Sequence, residues 1–518
     1  MAGDQAKTGI GRRDFLGVAA GLAGAAAAST QAEAGVQFPT DRNSYSRGGS
    51  IQGPLSRSEG DLFDCEVEGT IPDAIDGAFY RVGPDFQYPQ RAGLKPDSWF
   101  SGEGHVSMFR IENGHVDYRS RYVRNTRWKL QHKARRSLYG VYRNPTTDDP
   151  SVKGKSRAAH NTQIWAHNGR LLALKEDSPP AAMGLLTLET LDESYTFGGQ
   201  LQSQTFTAHP KTDSVTGNLV AFGYEAKGFG SNDINVFEIT PKGKMVWNVW
   251  VKAPYTGMLH DYAVTERYIA FLCIPLAFNK DGIPLGEVHW AWDGSLPTYL
   301  GVMRRGGDGK DIRWIKGPQT MCTHTMGCWS DGDKVYVDMD GGESNQFTFF
   351  PSRTEPFDAV KAKGRIRRFS IDLSRPEAQF THEVQFPQVT GALSRQDERY
   401  HTQHYRYGFI NGADELAGKR GWVMVDHMTS KVQVFSLPDT QFGEMVFIPR
   451  RKGAPEGDGW LIGVANKPKE GGRSDVVIAD TKAFGDGPVA TIKLPFKVPP
   501  QIHGMWVGAD QLPKPKDI

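Results

Sequence analysis

The sequence predicts an all-β protein whose sheets close into a barrel or repeat radially. Three observations carry this. Short alternating apolar and polar segments recur between glycine turns along most of the chain. Asn113-Gly114 and Asn168-Gly169 each separate two such segments, and Asn-Gly suits the tight turn of a hairpin. With 59 glycines, 31 prolines and little helical periodicity among 518 residues, the composition favours a turn-rich chain over a helical one. Many short strands in a closed or radial arrangement leave few exposed edges. The spacing suits four-stranded blades, and a large β-sandwich is the alternative.

The first 34 residues read as a targeting segment. GRRDFLG carries a twin-arginine pattern, the small-residue run VAAGLAGAAAA follows, and Ala32-Glu33-Ala34 forms an A-x-A cleavage site. The run is too short and too rich in Ala and Gly to span a bilayer. The expectation is export through the twin-arginine machinery to the periplasm. A polar lead-in occupies 35–60, and one β domain is expected over 61–518.

Within that domain, 107–123 and 162–176 read as the two Asn-Gly hairpins. Strand patterns follow at 218–224, 245–253, 262–275, 334–340, 365–373, 421–428, 431–438, 459–466 and 475–480. Two weak helix signals lie at 179–192 and in the stretch before Arg304. Lys and Arg are scattered and the formal charge is only +2, so the basic stripe of a nucleic-acid binder is absent and no such partner is expected. Four cysteines (Cys65, Cys273, Cys322 and Cys328) are too few to staple a chain of this length. Cys322 and Cys328 are close enough to bridge, and their redox state is left open. The state of association, a homodimer included, is open as well.

Among 14 histidines, four stand in small distinctive contexts at turns or strand edges: His209 in FTAHPKTD, His260 in GMLHDYAVTE, His324 in CTHTMG and His503 in QIHGMWVG. A lone histidine is more often a surface group or a core hydrogen bonder. Four neutral imidazoles brought to one axis would suit a borderline cation such as Fe(II), Zn, Cu or Ni. The residues alone reach an exported all-β protein, with metal binding open.

These contexts, together with GAFYRVGPDFQYP, SWFSGEGHVSMFRIENGHVDYRSRYVRN, YGVYRNPTTDD, NQFTFFP and the terminal IHGMWV, resemble the carotenoid cleavage oxygenases, and within them the bacterial lignostilbene-type dioxygenases. The resemblance covers nearly all of the chain after the leader. It implies a seven-bladed β-propeller with a loop- and helix-containing cap over the active-site face. It further implies a non-haem Fe(II) held by His209, His260, His324 and His503, and dioxygen as co-substrate for cleavage of a carbon–carbon double bond in a small aromatic alkene.

Glutamates that accept a hydrogen bond from the ligating rings match Glu176 and Glu444, whereas the family's middle glutamate has no counterpart. One alignment puts Ala392 there and another Gln385, with Glu383 or Asp397 as substitutes from a shifted loop. Lys175, Tyr142 and Phe100 match positions that surround the 4-hydroxyphenyl end of a lignostilbene. Lys175 and Tyr142 are expected to bind and polarise the phenol, and Phe100 to stack on its ring. A carotenoid or apocarotenoid cleaver, and an exported binding propeller with an impaired metal site, are the competing readings.

Overall fold

The computed structural model describes residues 58–375 and 379–514. The leader and all but the last three residues of the lead-in lie outside them. Among the described residues, seven antiparallel sheets of four or five strands make a β-propeller. We number the blades from the N-terminus. Their innermost strands are His503–Gly508 (blade 1), Gln163–His167 (2), Lys211–Thr212 (3), Tyr262–Val264 (4), Met321–Asp331 (5), Val389–Gln396 (6) and Gln441–Pro449 (7).

The ring is closed twice by strands from opposite ends of the chain. His503–Gly508 pairs with Gly77–Asp85 as the inner strand of blade 1. Glu66–Gly69 pairs with Ala490–Lys493 on the outer edge of blade 7. Closure of this kind removes the open edges that two terminal blades would otherwise present.

Both Asn-Gly hairpins form as expected. Asn113 and Gly114 have φ of 51° and 78°, and Asn168 and Gly169 have φ of 50° and 69°, the left-handed pair that a tight hairpin turn requires. Middle strands such as Leu219–Tyr224 and Asp233–Ile239 are buried at every residue, because a blade is covered on both faces by its neighbours. That is why they read as continuous apolar runs, whereas the outer His115–Tyr122 strand alternates.

The cap over one end of the ring comprises the helix Thr126–Ala134, short helical turns, and a hairpin of Leu276–Phe278 with Trp290–Trp292. The two helix expectations fail. Residues 179–192 contain the strands Ala181–Met183 and Thr190–Asp192, and Thr298–Arg304 is a strand. Their apolar residues fill the spaces between blades, so tertiary packing overrides a weak local preference. The helix that does form has no apolar stripe to announce it. Asn125 caps it through Trp128 N at 2.9 Å, and Arg127 and Gln131 anchor it to buried Glu103 at 2.8 and 2.6 Å.

All four cysteines are buried free thiols, so Cys322 and Cys328 are not bridged.

Candidate metal centre and its cavity

Each of the four singled-out histidines stands at the axial end of an inner strand. His209 and His260 each precede their strand by two residues, in blades 3 and 4. His324 is the fourth residue of the blade 5 strand, and His503 opens the closing strand of blade 1. Asp261 ties three of these strands together. Its Oδ1 accepts from Lys211 Nζ at 2.7 Å, and its Oδ2 accepts from Thr325 N, beside His324, at 2.7 Å.

The result is a cluster in which one ligand atom from each of His209, His260, His324 and His503 lies within 4.8 Å of every other. His209 Nε2 is 3.1 Å from His260 Nε2, which is 3.3 Å from His324 Nε2.

Carboxylates stand behind three of the rings. His260 Nδ1 donates to Glu176, which follows the second strand of blade 2. His503 Nδ1 donates to Glu444 Oε1 in blade 7 at 2.8 Å. His324 Nδ1 faces Asp340 Oδ2 at 3.4 Å. A ring whose Nδ1 carries the proton toward a carboxylate presents an Nε2 lone pair on its other side.

Lone pairs meeting at about 3 Å repel one another unless a cation lies among them. His503 Nε2 is also buried with no hydrogen-bond partner. The donor set therefore fits a metal ion held by four neutral imidazoles, and a borderline divalent cation suits it.

Charge in the surrounding shell is arranged to keep the carboxylates ionised. Burial alone would raise Glu444, but Arg395 and then His503 overrule it and bring it down to about 2. Arg395 Nη1 is 2.9 Å from Glu444 Oε2 and also donates to Gly504 O at 2.7 Å. Glu176 and Asp340 are likewise lowered against burial, by His260 and His324 respectively. Burial takes His503 down to about 4, so its ring is neutral near pH 7.

A small, mostly apolar cavity of about 30 Å³ adjoins the cluster. His260, His324 and His503 form its floor, and Phe100, Tyr142 and Lys175 line it as well. Lys175 Nζ donates to Asn161 Oδ1 at 3.0 Å and to Phe100 O at 3.2 Å, and lies 5.1 Å from the centre of the Tyr142 ring. Burial lowers the Lys175 ammonium to about 8 and raises the Tyr142 phenol well above its ordinary range. Phe100 packs edge-on against Phe347 and Phe349, with ring centres 6.1 and 5.4 Å away.

A profile of the family described as retinal pigment epithelial membrane protein matches residues 55–508. The chain belongs to the carotenoid cleavage oxygenase family. Its similarity to the lignostilbene branch is close. A lignostilbene-α,β-dioxygenase isozyme III from Sphingomonas paucimobilis is 40% identical over 478 residues, spanning 88% of this chain and 96% of that protein. An isoeugenol monooxygenase from Pseudomonas nitroreducens is 37% identical over 465 residues, spanning 87% and 96%. The solved structure of a Pseudomonas brassicacearum lignostilbene dioxygenase superposes with a TM-score of 0.85 at 37% identity, covering 92% of this chain and all of that one.

In this carotenoid cleavage oxygenase the third carboxylate is present, and it is not at any of the positions expected from sequence. Ala392 pairs with Asn411 in blade 6, and Gln385 pairs with Ile366 in the outer strand of blade 5. Glu383 is exposed on that outer strand, and buried Asp397 is engaged by Arg399.

Asp340 takes the place because of a β-bulge. The Asp331–Lys334 pairing, carried inward without interruption, would set Gly341 opposite His324. The extra residue between Thr325 and Gly327 shifts the register by one and sets Asp340 there. The signal was the VDMD end of a recognised strand, and the bulge that aims it is not visible in residue pattern.

Proposed function

We propose that the protein is a non-haem Fe(II) dioxygenase that cleaves the central double bond of 4-hydroxystilbene or lignostilbene-type substrates to two aromatic aldehydes. The observation that carries this reading is one cavity bounded by the four-imidazole cluster on one side and by the Lys175–Tyr142 pair on another. The relatives act as support, since their names include lignostilbene dioxygenases, a resveratrol cleavage oxygenase and isoeugenol monooxygenases.

His209, His260, His324 and His503 would hold Fe(II), which supplies dioxygen activation when bound. The chain's own residues place the alkene. A lysine ammonium has three donors, and two of those of Lys175 are taken by Asn161 and Phe100. The remaining donor meets the phenol oxygen of the substrate, with Tyr142 beside it. Stabilising the phenolate there releases electron density through the ring to the double bond, where attack is then easier. Phe100 packs on the phenol ring and, with Phe347 and Phe350, keeps water from the alkene.

Iron-loaded protein given 4-hydroxystilbene under 18O2 should yield two aldehydes, each carrying label. Carotenoid cleavage with no stilbene turnover would overturn the substrate class. A folded protein that takes up no metal on reconstitution would point instead to a binding propeller. Lys175→Met should depress turnover of 4-hydroxylated substrates with iron content near that of the parent, and equal loss of iron would remove the role given to Lys175.

Export belongs to the same proposal and rests on GRRDFLG, outside the described residues. Replacing Arg12 and Arg13 with lysine should hold the protein in the cytoplasm, and unchanged periplasmic activity would refute the route.

A further inference from the structure

Behind the cavity wall lies a buried charged cluster that takes no part in the chemistry above. Arg143, Glu225 and His289 are 8%, 2% and 0% exposed. Arg143 Nη2 pairs with Glu225 Oε2. Glu225 Oε1 accepts from His289 Nε2 at 2.9 Å and from Gly230 N at 2.6 Å. The three residues come from separate parts of the fold: the loop that carries Tyr142, the residue after the blade 3 strand Leu219–Tyr224, and the residue before the second strand of the cap hairpin. A buried ion pair of this kind is costly to desolvate and is weak evidence for a purely stabilising role.

Two further observations direct it toward Tyr142. The first is backbone geometry. Arg143 and Glu225 have φ of 51° and 50°, the left-handed region that a side chain adopts only under constraint. The two constrained residues are each other's ion-pair partners, so the pairing holds the turn in which Tyr142 lies. The second is where that turn is tethered. Tyr142 N donates to half-buried Asp97 Oδ1 at 2.6 Å, and Tyr142 O accepts from His289 N at 3.1 Å. His289 thus touches Glu225 with its ring and Tyr142 with its backbone. Arg143 is also the strongest charge acting on the Tyr142 phenol, after burial.

We infer that the Arg143–Glu225–His289 cluster is a positioning device that fixes Tyr142 for the phenol end of the substrate and thereby sets the preference for a free hydroxyl group. Glu225 has a second consequence for selectivity. By neutralising Arg143 it leaves Lys175 as the cation that meets the phenol oxygen. The inference rests on the phenol-binding reading of Lys175 and Tyr142.

The test compares kcat/KM for 4-hydroxystilbene and 4-methoxystilbene in iron-loaded parent, Glu225→Gln, Tyr142→Phe and the double variant, with iron content measured on each. The expected result is a loss of about tenfold in hydroxyl-over-methoxy selectivity for Glu225→Gln, the scale of one lost hydrogen bond. Iron content and methoxy turnover should stay near the parent's. In the Tyr142→Phe background the same substitution should change selectivity no further, which a general structural defect would not mimic.

Unchanged selectivity in Glu225→Gln, or an equal drop in both backgrounds, overturns the inference. A parent that does not distinguish the two substrates overturns the phenol-binding reading itself, and the two failures are thereby separate. Should Glu225→Gln fail to fold, His289→Asn removes the ring's bond to Glu225 while leaving the Arg143 pair, and the same comparison applies.

Discussion

Asp340 shows how much one side chain can change the account of this site. It lies across the strand pair from His324, accepts from Thr323 Oγ1 and Ser394 N at 2.8 Å each, and turns its second oxygen's charge toward His324 Nδ1. A carboxylate behind a ligating ring raises the ring's basicity and fixes its orientation. Asp340→Asn keeps the shape and loses the charge. It should weaken metal binding by about 10- to 100-fold, read by competition with a chelator, with the thermal transition of the metal-free protein little changed. Undiminished affinity would mean that Asp340 is only a structural acceptor for Thr323 and Ser394.

Lys175 supplies a prediction of a different kind. Its ammonium is lowered by burial from 10.5 to about 8. Between those values the unfolded chain binds the proton and the folded chain does not, so stability rises with pH across that window. Below pH 8 the full cost of burying the charge is present. The stability of the parent relative to Lys175→Met should therefore improve by about 3 kcal/mol between pH 7 and pH 10.5, since each pKa unit corresponds to about 1.4 kcal/mol. Urea unfolding of both proteins at the two pH values measures it, and parallel pH profiles would contradict it.

At the scale of elements, the inner strands carry the site, and irregularities in them do the aiming. Blades 5, 6 and 7 each have a bulge in the innermost strand: at Thr323 and again at Met326, between Ala392 and Arg395, and between Phe442 and Met445. Asp340 is opposite one of these bulges, Arg395 ends another, and Glu444 lies inside the third. A bulge re-aims side chains that a regular strand would send to a fixed face.

The closing strand obeys a tighter constraint. Gly504 N donates to Glu444 Oε2 at 2.9 Å, and a Cβ on Gly504 would collide with the Tyr80 carbonyl oxygen and the Arg81 side chain. Gly504→Ala should push His503–Gly508 away from Gly77–Asp85, displace His503, and lower both metal content and the unfolding midpoint. A variant with parent-like metal content would show that the strand has slack that the geometry does not suggest.

The whole molecule is a ring, and its closure is also the completion of its site. The histidine contributed by blade 1 arrives on the last strand of the chain, about 420 residues after the strand it pairs with. Truncation after Gln501 removes one of the four imidazoles and leaves blade 1 with an open inner edge. The truncated chain should bind metal poorly and unfold at lower urea, with a less cooperative transition. Parent-like unfolding would mean that Glu66–Gly69, at the outer edge of blade 7, closes the ring alone.

The sequence by itself determined the class of the fold, both Asn-Gly hairpins and most of the strands, because two-residue periodicity and turn residues are local properties of the chain. The four histidines stood out only in distinctive contexts, and it was the family resemblance of those contexts, not any local pattern, that grouped them as one ligand set. Tertiary structure alone decided the rest. Strand register, altered by a single extra residue, selected Asp340 over Ala392, Gln385, Glu383 and Asp397. Polar anchoring to Glu103, without an apolar stripe, selected the helix at Thr126–Ala134. The pairing of Arg143 with Glu225 joins residues 82 positions apart, and no local pattern encodes it. Each depends on which groups meet across the ring after it has closed.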